Sequence, residues 1–138
     1  MGMKFLTVAV VALGFAGLSA GDLPPETQAK FIKILANSAG SSGKVACSSA
    51  ALQAKLAEAG VANDGGSKVA WAGSEGEVKS LKGAGKLVIC GKTEWLPSGA
   101  SIAIVEEGGK PQIYLHMGNI AASGVTLSDA VLKIGKKL

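Results

Sequence analysis

From Ser101 to Met117 the chain reads as two strands folded back on one turn, and that unit limits what the rest can form. Ser101-Ile-Ala-Ile-Val-Glu-Glu107 is rich in β-branched residues, and Gly108-Gly109 supplies the turn. Pro111-Gln-Ile-Tyr-Leu-His-Met117 then alternates polar and apolar residues at period two, the pattern of a strand with one buried face. The alternation puts Gln112, Tyr114 and His116 on the polar side, opposite Ile113, Leu115 and Met117. Two helical segments follow, around 118–124 and over 126–137. Thr126 and Asp129 have the spacing of a capping box, and Leu127, Val131, Ile134 and Leu138 are expected to point inward at helical spacing.

The preceding chain alternates helices and short strands. Pro24-Pro25-Glu26 opens a helix, with proline tolerated in the first turn and an acid near the positive end of the dipole. Ala29, Ile32, Leu35 and Ala36 give it an apolar stripe to about Asn37, and 38–43 is a small-residue connection. A strand over 44–48 leads to a helix capped by Ser48 or Ser49, carrying Leu52 and Leu56 and ending at Gly60. Residues 61–67 read as a loop and 68–71 as a strand. Ser74 and Glu77 suggest a capped helix over 75–82, and Leu87-Val-Ile-Cys90 forms the heart of an apolar strand. Strands alternating with helices of this length predict right-handed βαβ units. The fold class is therefore α/β: a small three-layer sandwich on a mostly parallel sheet of five strands, with a C-terminal antiparallel hairpin.

The N-terminus suggests an address. Lys4 precedes an apolar run from Phe5 to Leu18 and a small-residue exit at Ser19-Ala20-Gly21, the layout of a secretory signal peptide. A membrane-spanning helix needs roughly 20 apolar residues; this run is shorter and contains Gly14 and Gly17. The reading is a signal peptide over 1–20 and one domain over 21–138, exported to the periplasm and not membrane-embedded after cleavage.

Composition narrows the partners. All 14 basic residues are lysine and are spread among the acids. Arginine's planar fork is the usual tool for phosphate and guanine recognition, so its absence argues against a nucleic-acid partner. Gly91-Lys92-Thr93 lacks the earlier glycine of a P-loop, where Lys86 stands. His116 is the only histidine, and with two cysteines cannot complete a four-ligand zinc site. No G-x-S-x-G elbow is present. The expectation is a chain with no enzyme activity, no cofactor and no metal, whose His116 is solvated on the strand's polar face.

Two features stand out for site chemistry. Cys47 and Cys90 end strands that are neighbours in the doubly wound order 2-1-3. That places them about 4.8 Å apart, within reach of a disulfide, which an oxidising compartment favours over two buried thiols. Trp95, in the loop 91–100, falls beyond the carboxyl end of a strand, where open α/β sheets bind ligands; it contacts a ligand or partner there, or covers the core.

The segments Ile113-Tyr-Leu-His116, Gly124-Val-Thr-Leu-Ser128 and Val131-Leu-Lys-Ile134 resemble the ending of the YfiR-like family of periplasmic proteins. Leu87-Val-Ile-Cys-Gly91 is similar to that family's strand leading into a Gly-Asp-Ser loop, Gly99-Ala100-Ser-Ile102 to its Gly-Gly-x-Ile segment, and Lys30-Phe-Ile-Lys33 to its opening helix. His116 stands where the family has Asn, Ala100 where it has Gly, and the Trp-Pro that closes its first helix is missing. The resemblance implies a periplasmic signalling regulator that restrains an inner-membrane diguanylate cyclase by binding its periplasmic portion, with effects on cyclic-di-GMP and biofilm. A small-ligand or cell-wall binding module using the Trp95 loop is the alternative, and a homodimer stays open. The surface expected to meet a partner or ligand comprises Trp95, Gln112, Tyr114 and His116.

Overall fold

The computed structural model describes residues 23–40 and 43–138. The expected signal peptide over 1–20 lies outside the described residues. Among them, no helix is long and apolar enough to cross a membrane.

The fold is α/β with seven strands: β1 (Lys44–Cys47), β2 (Ala62–Asn63), β3 (Val69–Trp71), β4 (Leu87–Cys90), β5 (Ile102–Glu107), β6 (Lys110–Leu115) and β7 (Lys136–Lys137). They form one sheet in the order β2-β1-β3-β4-β5-β6-β7. Every pair is parallel except β5 with β6. The helices are α1 (Pro25–Ser38), α2 (Ala50–Glu58), α3 (Glu75–Gly83), α4 (Met117–Ser123) and α5 (Asp129–Ile134), with a 3-10 turn at Thr93–Trp95.

Local chemistry accounts for most boundaries. Pro25 occupies the first turn of α1 and Glu26 faces its dipole. At α3 the Ser74 hydroxyl accepts from the Glu77 N–H at 3.2 Å. The hairpin turn puts both Gly108 and Gly109 at positive φ, 59° and 80°, which a type I′ turn requires and glycine supplies without strain.

Alternation along the strands builds two cores. Val45, Cys47, Val69, Trp71, Leu87, Ile89, Ile102, Ile104, Ile113 and Leu115 face α1, α2, α4 and α5 in the larger one. On the opposite face Val88, Cys90 and Ala103 meet Val78 of α3 together with Leu96 and Ala100. One side of the sheet is thickly covered; the other carries only α3 and the loop with the 3-10 turn.

Three expectations need correction. The sheet has seven strands rather than five, because two-residue strands at 62–63 and 136–137 pair at its edges; two residues are too few to show periodicity. The closing helix ends at Ile134, not Lys137, and begins after Ser128 with no side-chain cap from Thr126. Gly135 then lets the chain lie against β6, where a Cβ would meet the Leu115 side chain at 2.6 Å. Leu127 and Val131 are buried as expected, whereas Ile134 and Leu138 are 54% and 63% exposed because the helix has already given way to β7.

The expected Cys47–Cys90 disulfide is also absent: both are buried free thiols. The 2-1-3 rule holds, but Ala62–Asn63 takes the outer place expected for Val69–Trp71. β3 therefore lies between β1 and β4, two strand spacings or about 9.6 Å, beyond the Cα separation a disulfide spans. Register aligns Cys47 with Trp71 and Trp71 with Ile89, so Cys90 points to the opposite face. Intact-mass analysis after alkylation of the unfolded, unreduced protein is expected to show two modified thiols; a mass shift of none would restore the bridge.

Candidate functional site

The connections leaving β1 and β3 diverge. From β1 the chain passes through α2 to β2 at the outer edge, and from β3 through α3 to β4 on the other side. The gap between the carboxyl ends of β1 and β3 is thus the topological switch point, the position where open α/β sheets bind ligands. Two clefts flank Trp71, the larger reaching from that gap to Lys86, just before β4.

The larger cleft, about 300 Å³, is lined by Ala46, Cys47, Ser48, Asn63, Gly65, Trp71, Glu77, Leu81 and Lys86. α3 packs on β4 rather than on β1, and Ala46 lines the cleft as a small residue. The Glu77 carboxylate is fixed at one end: it accepts from the Ser48 hydroxyl at 2.6 Å and from the Gly73 N–H at 2.8 Å. The Lys86 ammonium donates to the carbonyls of Ser67 at 2.5 Å and Gly65 at 3.1 Å. The smaller cleft, about 100 Å³, lies between Gln28, Trp71–Gly73, Gly91, Lys92 and Trp95. Lys92 Nζ sits 5.9 Å from the centre of the Trp95 ring, a cation–π distance.

No family model matches the chain, and no curated protein does. The fold has a solved counterpart: a crystal structure of a conserved domain protein from Vibrio cholerae O1 biovar eltor is similar with a TM-score of 0.61 at 14% sequence identity, over 84% of this chain and 60% of that one. The likeness shows the shared α/β architecture, and this chain spans about 60% of that protein's length.

The four residues expected to form one surface divide between two places. Trp95 and Tyr114 are half-buried and both border the smaller core. The Tyr114 hydroxyl donates to Glu107 at 2.5 Å, and the bond to that carboxylate is the main cause raising its pKa above the usual tyrosine value. Lys136 joins them, 5.5 Å from the Tyr114 ring and 3.7 Å from Glu107. Gln112 lies on the same face and donates to the Ile113 carbonyl. His116 is not simply solvated. It is the N-cap of α4, its Nδ1 accepting from the Asn119 N–H at 3.0 Å, and so it is committed to holding that helix.

Asn119 escaped the sequence reading. Its side-chain amide donates to the carbonyls of Leu96 at 2.8 Å and Ala100 at 2.9 Å, fastening the Trp95 loop to α4. In the sequence Trp71, Glu77 and Lys86 carry only the signals of a strand residue, a cap and a strand start. Their shared cleft follows from where β2 sits, which no local pattern reveals.

Burial disfavours the thiolate of both cysteines. Burial raises both pKa values, that of Cys90 to about 11, and thiolate is the nucleophilic form. Among the described residues no cluster of His, Cys, Asp and Glu is arranged to hold a metal.

Proposed function

We propose that this chain is a non-enzymatic periplasmic regulatory protein that acts by binding, its partner being the periplasmic portion of an inner-membrane diguanylate cyclase. The observation that carries the reading is the uneven cover of the sheet. Helices α1, α2, α4 and α5 all serve the larger core, while the β5–β6 face bears Gln112 and the half-buried Tyr114 beside the Trp95 loop. Aromatic side chains at the margin of a sheet face are the kind of anchor that dominates protein interfaces. Binding is preferred to catalysis because the single histidine is committed to capping and burial disfavours the thiolate of both cysteines.

The resemblance to YfiR-like proteins and the leader-like N-terminus supply the partner and the compartment. The reading is tested by affinity capture from solubilised inner membranes: a membrane-anchored diguanylate cyclase is expected on the wild-type protein, and its absence counts against the proposal. The small-ligand or cell-wall module remains the second reading, favoured by the cleft where Trp71, Lys92 and Trp95 meet.

A further inference from the structure

We infer that the 300 Å³ cleft beside α3 binds a short zwitterionic peptide, two residues long with apolar side chains. The site is distinct from the β5–β6 face and does not depend on the partner proposed above. Its volume is at the lower end of the range for small-ligand sites, roughly 300–1,000 Å³.

The cleft presents two fixed charges of opposite sign. Among the described residues neither Lys86 nor Glu77 forms an ion pair. Each is nonetheless held in place. Lys86 spends two donors on backbone carbonyls and keeps a third. Glu77 accepts from Ser48 and Gly73, leaving further lone pairs. A carboxylate suits the first end and an ammonium the second. Ala46 and Leu81 also line the cleft and offer it apolar surface.

The hydrogen bonds that hold the two charges set the scale of the ligand. Glu77 is tied to Ser48, while Ser67, which holds Lys86, donates its hydroxyl to the Lys44 carbonyl. Lys44 to Ser48 is four steps along extended chain, about 13 Å at the usual strand rise, which gives the order of size of the run beside which the two charges are held. An extended dipeptide spans about 7 Å, and a charge-assisted contact of about 2.8 Å at each end brings the total to roughly 12–13 Å. A free amino acid, about one residue shorter, spans only part of that run.

Calorimetric titration of the full folded chain with L-alanyl-L-leucine tests this. Saturable binding is expected, weakened about tenfold or more when the peptide is N-acetylated or C-amidated, since either change removes one charged contact. Free leucine should bind more weakly than the dipeptide. Lys86→Gln and Glu77→Gln should each reproduce the loss of the matching peptide end, with circular dichroism confirming the fold. Absence of saturable heat up to about 10 mM dipeptide, or equal binding of blocked and unblocked peptides, would overturn the proposal. The blocked peptides decide the matter on wild-type protein even where a variant fails to fold.

Discussion

Replacing Ile89 with alanine is expected to lower the unfolding free energy by about 2–5 kcal/mol, the range for large-to-small changes in a closed core. Ile89 is 0% exposed and stands at the middle of the sheet, in register with Trp71 on β3 and Ile102 on β5. Strands on both sides and helices above leave little room for collapse into the cavity, which places the cost in the upper half of that range. A domain of this size has only about 5–15 kcal/mol in total, so the variant should approach half-unfolding in mild urea. Denaturant titration followed by tryptophan emission measures it. A loss below about 1 kcal/mol would mean that Ile89 does not sit in a close-packed core.

Asn119→Ala should cost about 2–3 kcal/mol and loosen the loop that carries Trp95. One amide group serves two carbonyls, those of Leu96 and Ala100, and each neutral bond is worth about 1 kcal/mol net, more when the stranded partner is buried. Asn119→Asp is the sharper probe. It keeps the shape but removes both donors and sets a carboxylate against two carbonyl oxygens, so its loss at pH 7 should exceed that of alanine. Protonation below about pH 4 restores one donor, and the gap should narrow there. Tryptophan emission and amide exchange over 95–101 report the loosening. Unchanged exchange in that segment would show that the loop is held by its apolar contacts alone.

The sequence was legible where period and punctuation were strong. The Gly108-Gly109 hairpin, the α1 stripe and the Ser74 cap all emerge from patterns spanning a few residues, and the structure keeps each of them. It was illegible where structure depends on placement across the sheet. Ala62–Asn63 looks like loop because two residues carry no alternation, yet it decides which strands are neighbours. From it follows the separation of Cys47 from Cys90. Gly135 is similar: a close approach to Leu115, rather than any helix-stop pattern, ends α5 early and leaves Ile134 in solvent. His116 shows the limit at a single residue, since a polar position on a strand proves to be the first cap of the next helix.

The most direct test of the regulatory reading compares wild type with Tyr114→Ala in capture from detergent-solubilised inner membranes, each variant first shown to be folded. The wild-type protein is expected to retain a membrane-anchored diguanylate cyclase, and removing the Tyr114 ring to lower retention about tenfold or more, as loss of a buried aromatic anchor does at an interface. Recovery of no such cyclase, or equal recovery by the two proteins, would contradict it.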